Sequence, residues 1–94
     1  MLKDQVVVIT GGAGLVGQAF VRSIVQQNGI AIIADIDYEL GQSIKTKLSK
    51  ELKTKNIDFI QIDVTSKQSL KDSIAYLDDK YHKIDALVNN AYPR

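Results

Sequence analysis

Glycines recur at short intervals near the start of the chain, with the spacing of a loop that holds a phosphate group. Residues 10–17 read Thr-Gly-Gly-Ala-Gly-Leu-Val-Gly. Because glycine has no Cβ, backbone N–H groups in such a loop can approach an anion closely, and the chain can turn tightly or adopt a positive φ. A helix that begins there adds unpaired N–H groups and a partial positive charge. The segment 10–17 is therefore a candidate pyrophosphate-binding loop.

The glycine spacing fits two related patterns. Gly12, Gly14 and Gly17 satisfy the dinucleotide-binding pattern G-x-G-x-x-G. Thr10 and Gly11, taken with Gly14 and Gly17, satisfy the longer pattern T-G-x-x-G-x-x-G. Glycines that serve only the packing of a turn would look the same. An apolar run before the loop and an amphipathic segment after it favour the phosphate-binding interpretation.

A carboxylate follows the second apolar run of the chain. Asp35 stands directly after Ile33 and Ala34, where a buried strand would end. A carboxylate at that point can accept hydrogen bonds from the adenosine ribose and would repel a 2′-phosphate, which favours NAD over NADP. The alternative is that Asp35 caps the next turn. Asp37 competes for that capping role, which leaves Asp35 available for the ribose.

Composition limits the classes of protein to consider. The chain has 94 residues, which is one domain, with 45% hydrophobic and 24% charged residues and a net charge of +1. No basic block points to nucleic acid, the absence of cysteine excludes a thiolate metal site, and the apolar runs are too short to cross a bilayer. The N-terminus has no signal-peptide pattern. We expect a cytoplasmic protein that binds neither nucleic acid nor membrane.

Strand-like and helix-like segments alternate along the chain. The patterns predict strands over 5–10, 30–34, 57–62 and 84–88, and helices over 15–27 and 38–53 and from a Thr65 cap to residue 81. In the first helix we expect Val16, Phe20 and Ile24 to face inward. Alternation predicts a parallel sheet, and right-handed crossovers favour the order 3-2-1-4. The expected class is a truncated, doubly wound, Rossmann-like α/β fold.

In that order, the chain changes direction between strands 1 and 4. Ligands of open α/β sheets bind outside the carboxyl ends of the strands at such a switch point. The glycine loop and Asn89-Asn90 both follow strands at this crevice. The first two helices would cover one face of the sheet and the third helix the other.

Taken together, these residues resemble the short-chain dehydrogenase/reductase superfamily. The motifs stand in the family's order at the ends of predicted strands, and the resemblance covers the whole chain, which corresponds to the family's N-terminal nucleotide-binding portion. They are Thr10-Gly11-x-x-Gly14-x-x-Gly17, Asp35, Asp63-Val64-Thr65 and Asn89-Asn90-Ala91.

The resemblance implies that the glycine loop cradles the pyrophosphate of NAD. The residues implied in this role or beside it are Gly11, Gly14, Leu15, Val16 and Gly17. It further implies that Asn89 and Ala91 hold the fourth strand against the loop and approach the ribose next to the nicotinamide.

For the adenosine half, the resemblance implies contacts from the ends of strands 2 and 3. Asp35 would bind the ribose and Ile36 would lie beside the adenine, while Asp63 would reach the adenine amino group and Val64 would add contacts. Asp63 could instead be a turn former before the third helix.

Two branches of the superfamily share features with this chain. The glycine spacing, with Leu15 where the shorter branch has glycine, is typical of sugar-nucleotide epimerases and dehydratases. The Asp63-Val64-Thr65 and Asn89-Asn90-Ala91 motifs belong to the shorter branch. The mixture, with Ala91-Tyr92-Pro93-Arg94 at the end, is similar to bacterial flagellin-modification oxidoreductases linked to nonulosonic-acid sugars.

The family's catalytic Ser and Tyr-x-x-x-Lys follow the Asn-Asn-Ala loop and do not occur in these 94 residues. Tyr76 and Lys80 match the spacing, but they precede that loop inside the third helix, so we predict no catalytic role for them. The resemblance implies an oxidoreductase that moves hydride between NAD and a hydroxyl or carbonyl group, for example of a sugar or sugar nucleotide, and we expect a homo-oligomer. The alternatives are an epimerase or dehydratase and a non-catalytic nucleotide-binding module.

Overall fold

The apolar run before the glycine loop forms the central strand of the sheet, β1 (Val6–Thr10). The computed structural model describes residues 3–90. All five residues of β1 are buried, because the strand has neighbours on both sides and helices over both faces.

The remaining elements alternate as the sequence predicts. In chain order they are α1 (Leu15–Gln26), β2 (Ile30–Asp35), α2 (Tyr38–Glu51), β3 (Ile57–Gln61), α3 (Lys67–Tyr81) and β4 (Ala86–Asn89). The strands are all parallel and lie in the order β3-β2-β1-β4. The predicted Rossmann-like α/β fold and strand order are therefore confirmed.

Each face of the sheet has its own apolar cluster. On one face, α1 and α2 contribute side chains such as Val21 and Leu48, which pack on Val7, Ile9 and the alternate residues of β2 and β3. On the other face, Leu77 of α3 packs against Val6, Val8 and their neighbours. The predicted division of the helices, two on one face and one on the other, is correct.

The predicted inward face of α1 is partly wrong. Ile24 is buried, but Val16 and Phe20 are 58% and 41% exposed. The helix buries Gly17, Gln18 and Val21 instead. A Cβ on Gly17 would lie 2.5 Å from the Cα of Gly12, so this close backbone contact sets which face of the helix meets the sheet.

Helix ends follow the capping rules, with one correction. Asp37 caps α2 as predicted, because its side chain accepts the N–H of Leu40 at 3.0 Å. The cap of α3 is Ser66, which accepts the N–H of Ser69, whereas the predicted cap, Thr65, donates its hydroxyl to Asp63. The one-residue shift reflects a local competition for the Thr65 hydroxyl, which the preceding carboxylate wins.

A buried carboxylate, Asp58, joins both layers of helices to the edge strand β3. It is only 4% exposed and lies near the start of β3, away from the carboxyl edge of the sheet. Its donors are the Lys80 ammonium at 2.8 Å, the Tyr81 hydroxyl at 2.9 Å, the Tyr76 hydroxyl at 3.2 Å, the Phe59 N–H at 2.8 Å and the Lys45 ammonium at 3.4 Å. Burial alone would raise the pKa of Asp58, but the hydrogen bonds from Lys80 and Tyr81 outweigh it and lower the pKa to about 2.

This cluster predicts acid sensitivity. A folded-state pKa below the unfolded value means that the ionised carboxylate stabilises the fold above pH ~4 and that this contribution is lost as the pH falls towards 2. Given a pKa of about 2 in the folded protein, the contribution is about 2 kcal/mol. Asp58→Asn should lower the free energy of urea unfolding at pH 7 by about that amount, since it removes the buried carboxylate that binds the partly exposed Lys80 and Lys45 ammonium groups.

The pH profile supplies the control. The loss of stability between pH ~4 and ~2 should shrink in Asp58→Asn and persist in Asp79→Asn, because Asp79 is exposed on the same helix. Identical acid profiles for wild type and Asp58→Asn would contradict the assignment.

Strand β4 forms an edge of the sheet in the described part of the chain. It pairs with β1 alone there, and Leu87 is 64% exposed. Nearby, on the face that α3 covers, Ile74 and Ile84 are 56% and 41% exposed. An edge strand with unpaired N–H and C=O groups beside exposed apolar side chains is a template for pairing with another chain.

We therefore expect residues 1–94, expressed alone, to self-associate. Leu87→Lys should reduce the association by placing a charge on the edge. Leu40→Lys is the matched control, since Leu40 is 44% exposed on α2. Sedimentation over a concentration series measures both. A monodisperse wild-type monomer at high concentration would contradict the open-edge interpretation.

Candidate functional site

The glycine loop leaves the carboxyl end of β1 and turns directly into α1. Gly11 has φ 66°, a left-handed conformation that favours glycine, and its N–H donates to the carbonyl of Ala34 on β2 at 2.7 Å. The N–H of Gly14 then donates to the carbonyl of Gly11 at 3.2 Å. The loop is thus closed on itself and held against the neighbouring strand.

Gly14 and Gly17 lack side chains for different reasons. A Cβ on Gly17 would lie 2.5 Å from the Cα of Gly12, which no ordinary packing tolerates. At Gly14 the nearest atom would be the carbonyl oxygen of Gly11, at an ordinary 3.5 Å. Gly14 also has φ −75°, so its backbone does not require glycine. A side chain at Gly14 would therefore extend into open space outside the loop.

The N-terminus of α1 is the one helix start in the described residues that lacks a capping side chain. Asp37 and Ser66 cap α2 and α3, whereas α1 begins at Gly14 with no side-chain cap and no acidic residue in its first turn. The first N–H groups of a helix have no partner within it. Those of α1 therefore face outward at the switch point, together with the positive end of the helix dipole.

Asp35 lies beside this loop. Its Oδ2 is 3.4 Å from the N–H of Ala13, and its Oδ1 accepts the N–H of Asp37 at 3.1 Å. The alternative role considered for Asp35, in the turn that follows, is thus present as well. A carboxylate accepts several hydrogen bonds, so these two contacts leave capacity for ribose hydroxyls.

The end of β4 meets the loop through Thr10. In the parallel register Thr10 lies opposite Ala34 on one side and Asn89 on the other. Its hydroxyl is 3.0 Å from the side-chain oxygen of Asn89 and accepts the N–H of Asn90 at 3.0 Å. The end of β4 is therefore in direct contact with the first residue of the segment 10–17, while Ala91 lies outside the described residues.

Asp63 takes the turn-forming role that the sequence left open. Its Oδ1 accepts both the N–H and the hydroxyl of Thr65, at 3.0 and 2.6 Å, and these bonds lower its pKa. The strand end that carries it is joined to the Asp35 strand end, because the N–H of Ile62 donates to the carbonyl of Asp35 at 3.0 Å. If Asp63 contacts adenine, Oδ2 is the oxygen that remains to accept the hydrogen bond.

Several predicted contact residues are apolar and exposed, all of them near the carboxyl edge of the sheet. They are Leu15 at 85%, Val16 at 58%, Ile36 at 62% and Val64 at 49% exposed. Direct contacts unite the glycine loop with Asp35 and Asn89, and the backbone links the Asp63 strand end to the same edge. Val64 adjoins that edge through its chain neighbours, and the carbonyl of Ile36 accepts a hydrogen bond from the Gln61 side chain at 3.2 Å.

Two buried polar residues, Gln18 and Asp58, were not predicted from the sequence to have structural partners. Gln18 is 7% exposed, and its side chain donates to the carbonyl of Ala13 at 2.9 Å. Asp58 is the carboxylate to which Tyr76 and Lys80 bind, so these two are not simple surface residues. The sequence signal for each was a polar residue among apolar ones: Gln18 on the apolar face of α1 and Asp58 in the apolar strand β3.

The site fits the pyrophosphate and adenosine of a dinucleotide. It offers an uncapped helix start, open space at Gly14 and a carboxylate next to the loop. Within residues 3–90 no group of three or more His, Cys, Asp or Glu side chains could hold a metal ion. In the same range, no helix has the length and apolar character needed to cross a membrane.

Comparison with known proteins yields one family. The family model described as short chain dehydrogenase matches residues 5–92. Post-translational flagellin modification protein A of Campylobacter coli is 40% identical over 93 residues, which cover 99% of this chain and 36% of that protein. 15-hydroxyprostaglandin dehydrogenase (NAD(+)) of Homo sapiens is 31% identical over 90 residues, which cover 96% of this chain and 34% of that protein. The chain thus spans about a third of the length of the curated relatives it matches.

Solved structures agree with the family model. Menthone neomenthol reductase from Mentha piperita superposes with a TM-score of 0.90 at 25% identity, covering 96% of this chain and 32% of that one. The crystal structure of gox2181 superposes with a TM-score of 0.86 at 26% identity, covering 94% of this chain and 34% of that one.

The contrast between the two glycines predicts opposite outcomes for two small substitutions. Gly14→Ala should keep the free energy of unfolding within about 1 kcal/mol and weaken NAD binding about tenfold or more, because the methyl group enters the space before the helix. Gly17→Ala should destabilise the protein by about 1–3 kcal/mol, since backbone atoms must move. Calorimetric titration and urea unfolding measure the two effects. Unchanged NAD affinity in a folded Gly14→Ala protein would refute the phosphate-binding loop.

Proposed function

The chain belongs to the short-chain dehydrogenase family, and on that premise we propose that residues 1–94 are the N-terminal, NAD-binding portion of an oxidoreductase. The full-length protein would move hydride between NAD and a hydroxyl or carbonyl group of a small molecule. The residues of this portion would bind and orient the cofactor.

The 3.4 Å contact between Asp35 and the Ala13 N–H carries the proposal. It sets the carboxylate that would bind the adenosine ribose directly against the loop that would bind the pyrophosphate. Ribose and pyrophosphate are adjacent groups of a dinucleotide, so a carboxylate placed next to the loop supports a ligand of that kind. The uncapped start of α1 supports the same conclusion.

Asp35 also supports NAD over NADP. A 2′-phosphate would sit against this carboxylate and repel it, whereas ribose hydroxyls can donate to it. The positions of Ile36 and Val64, exposed beside the same edge, suit the flat apolar faces of adenine. One relative is named as an NAD(+) enzyme, which is consistent with this choice.

Bound NAD supplies the hydride acceptor, and NADH the donor. The residues described here hold the cofactor but provide no acid or base for the substrate. Tyr76 and Lys80 are unsuited to that role, because both bind Asp58 near the opposite end of β3. By resemblance, the catalytic Ser and Tyr-x-x-x-Lys would follow Arg94. We also propose a sugar substrate, a homo-oligomeric assembly and a cytoplasmic location.

The glycine spacing favours one second candidate. Gly11, Gly14 and Gly17 have the spacing of the sugar-nucleotide epimerases and dehydratases, which also bind NAD but regenerate it within each turnover. Net production of NADH with substrate would distinguish a dehydrogenase from that class. A full-length gene product without a Tyr-x-x-x-Lys after Arg94 would instead favour a non-catalytic nucleotide-binding module.

The role of Asp35 predicts the cofactor preference of the full-length gene product. NAD should bind at least about tenfold more tightly than NADP, and Asp35→Asn should reduce that ratio about tenfold. Asp37→Asn is the matched control: it removes a neighbouring charge while keeping a side chain that caps helices equally well. The control should leave the ratio almost unchanged. Preference of the wild type for NADP, in direct titrations, would contradict the assignment.

A further inference from the structure

Gln18 is a buried polar residue for which neither the fold nor the family motifs give a reason. It lies on the face of α1 that packs against the sheet, together with Gly17, Val21 and Ile24, and is 7% exposed. An apolar side chain would fill such a position without having to satisfy a buried amide. Burying an amide is costly unless it is hydrogen-bonded, so its partner indicates its role.

That partner is the glycine loop. The side-chain Nε2 of Gln18 donates to the carbonyl of Ala13 at 2.9 Å, and its backbone N–H donates to the carbonyl of Gly14, also at 2.9 Å. A single residue therefore holds two successive carbonyls of the loop. The first of these bonds is buried and depends on the side chain; the second is the ordinary first bond of the helix.

Ala13 lies between this amide and the Asp35 carboxylate. Its N–H faces Asp35 Oδ2 at 3.4 Å, and its carbonyl faces Gln18. Because a peptide group is planar, a fixed carbonyl fixes the orientation of the N–H that follows it. The N–H that follows the Ala13 carbonyl belongs to Gly14 and donates back to Gly11 at 3.2 Å. The side chain of Gln18 thus completes the set of bonds that closes the loop.

We propose that Gln18 is a positioning residue that preorganises the glycine loop for a pyrophosphate, an inference that rests on the proposed function. Three glycines surround Ala13, so without this bond the segment has unusual backbone freedom. A ligand that binds a disordered loop must first order it, which lowers its affinity. The bond to Gln18 removes that cost before the ligand arrives.

The test compares two probes of the full-length gene product. ADP-ribose contains the pyrophosphate, whereas adenosine lacks it and uses the ribose and adenine contacts alone. Gln18→Met keeps the length and apolar volume of the side chain but removes the donor. We expect Gln18→Met to weaken ADP-ribose binding about tenfold and to change adenosine binding little. A purely structural role would weaken both probes together or neither.

Ser73→Ala is the control for the loss of a buried polar group, since Ser73 is also 7% exposed but lies on α3. It should bind both probes as the wild type does. If Gln18→Met does not fold, Gln18→Leu takes its place, because leucine also removes the donor and is a good helix former. That variant should likewise bind ADP-ribose about tenfold more weakly and adenosine almost as the wild type does.

The outcomes separate the two proposals. Wild-type binding of ADP-ribose with equal affinity in folded Gln18→Met would overturn the role of Gln18 and leave the proposed function intact. Wild-type affinity for ADP-ribose in folded Gln18→Leu, where that variant is used, would overturn it too. Failure of the wild type to bind ADP-ribose would overturn both proposals.

Discussion

The parallel pairing of β1 with both of its neighbours is the constraint on which the site depends. Thr10, the last residue of β1, lies opposite Ala34 on one side and Asn89 on the other. Because parallel strands all end at the same edge, this register brings the loops after three strands together. A shift of one residue in either pairing would separate Asp35 or Asn89 from the glycine loop and turn side chains to the other face.

The same edge is where backbone hydrogen-bonding groups are available to a ligand. In the described chain, α2 and α3 have capping side chains at their N-termini, whereas the N-cap residue of α1 is Gly14, which has none. An uncapped helix start is less stable than a capped one by about 1 kcal/mol. The internal bonds of the loop, from Gly11 to Ala34 and from Gln18 to Ala13, offset part of that cost while the first N–H groups of α1 stay available.

Stabilising interactions concentrate at a distance from this edge. Asp58, which is itself buried, accepts hydrogen bonds from α2 and α3 near the start of β3. Tyr76 and Lys80 have the spacing of a catalytic pair, but both donate hydrogen bonds to the Asp58 carboxylate. The border along β4 has the opposite character: Leu87 is 64% exposed on a strand with one described neighbour.

Local sequence patterns were enough to predict the order and type of the elements. Continuous apolar runs such as Val6–Ile9 indicate strands covered on both faces, and the glycine-rich segment 10–17 indicates the strand-to-helix turn that follows the first of them. Asp37 as a helix cap also follows from its own neighbourhood. These features depend on residues close together in the chain, so the sequence alone determines them.

The tertiary structure decided what depends on distant contacts. The backbone approach of Gly17 to Gly12 rotates α1 so that Gln18, rather than Phe20, faces the sheet. Which glycine is needed for packing and which faces open space follows from the same geometry. Asp58 gains its hydrogen bond from Lys80 only because α3 packs over β3. No local pattern encodes these contacts, because each requires two segments whose separation only the folded sheet sets.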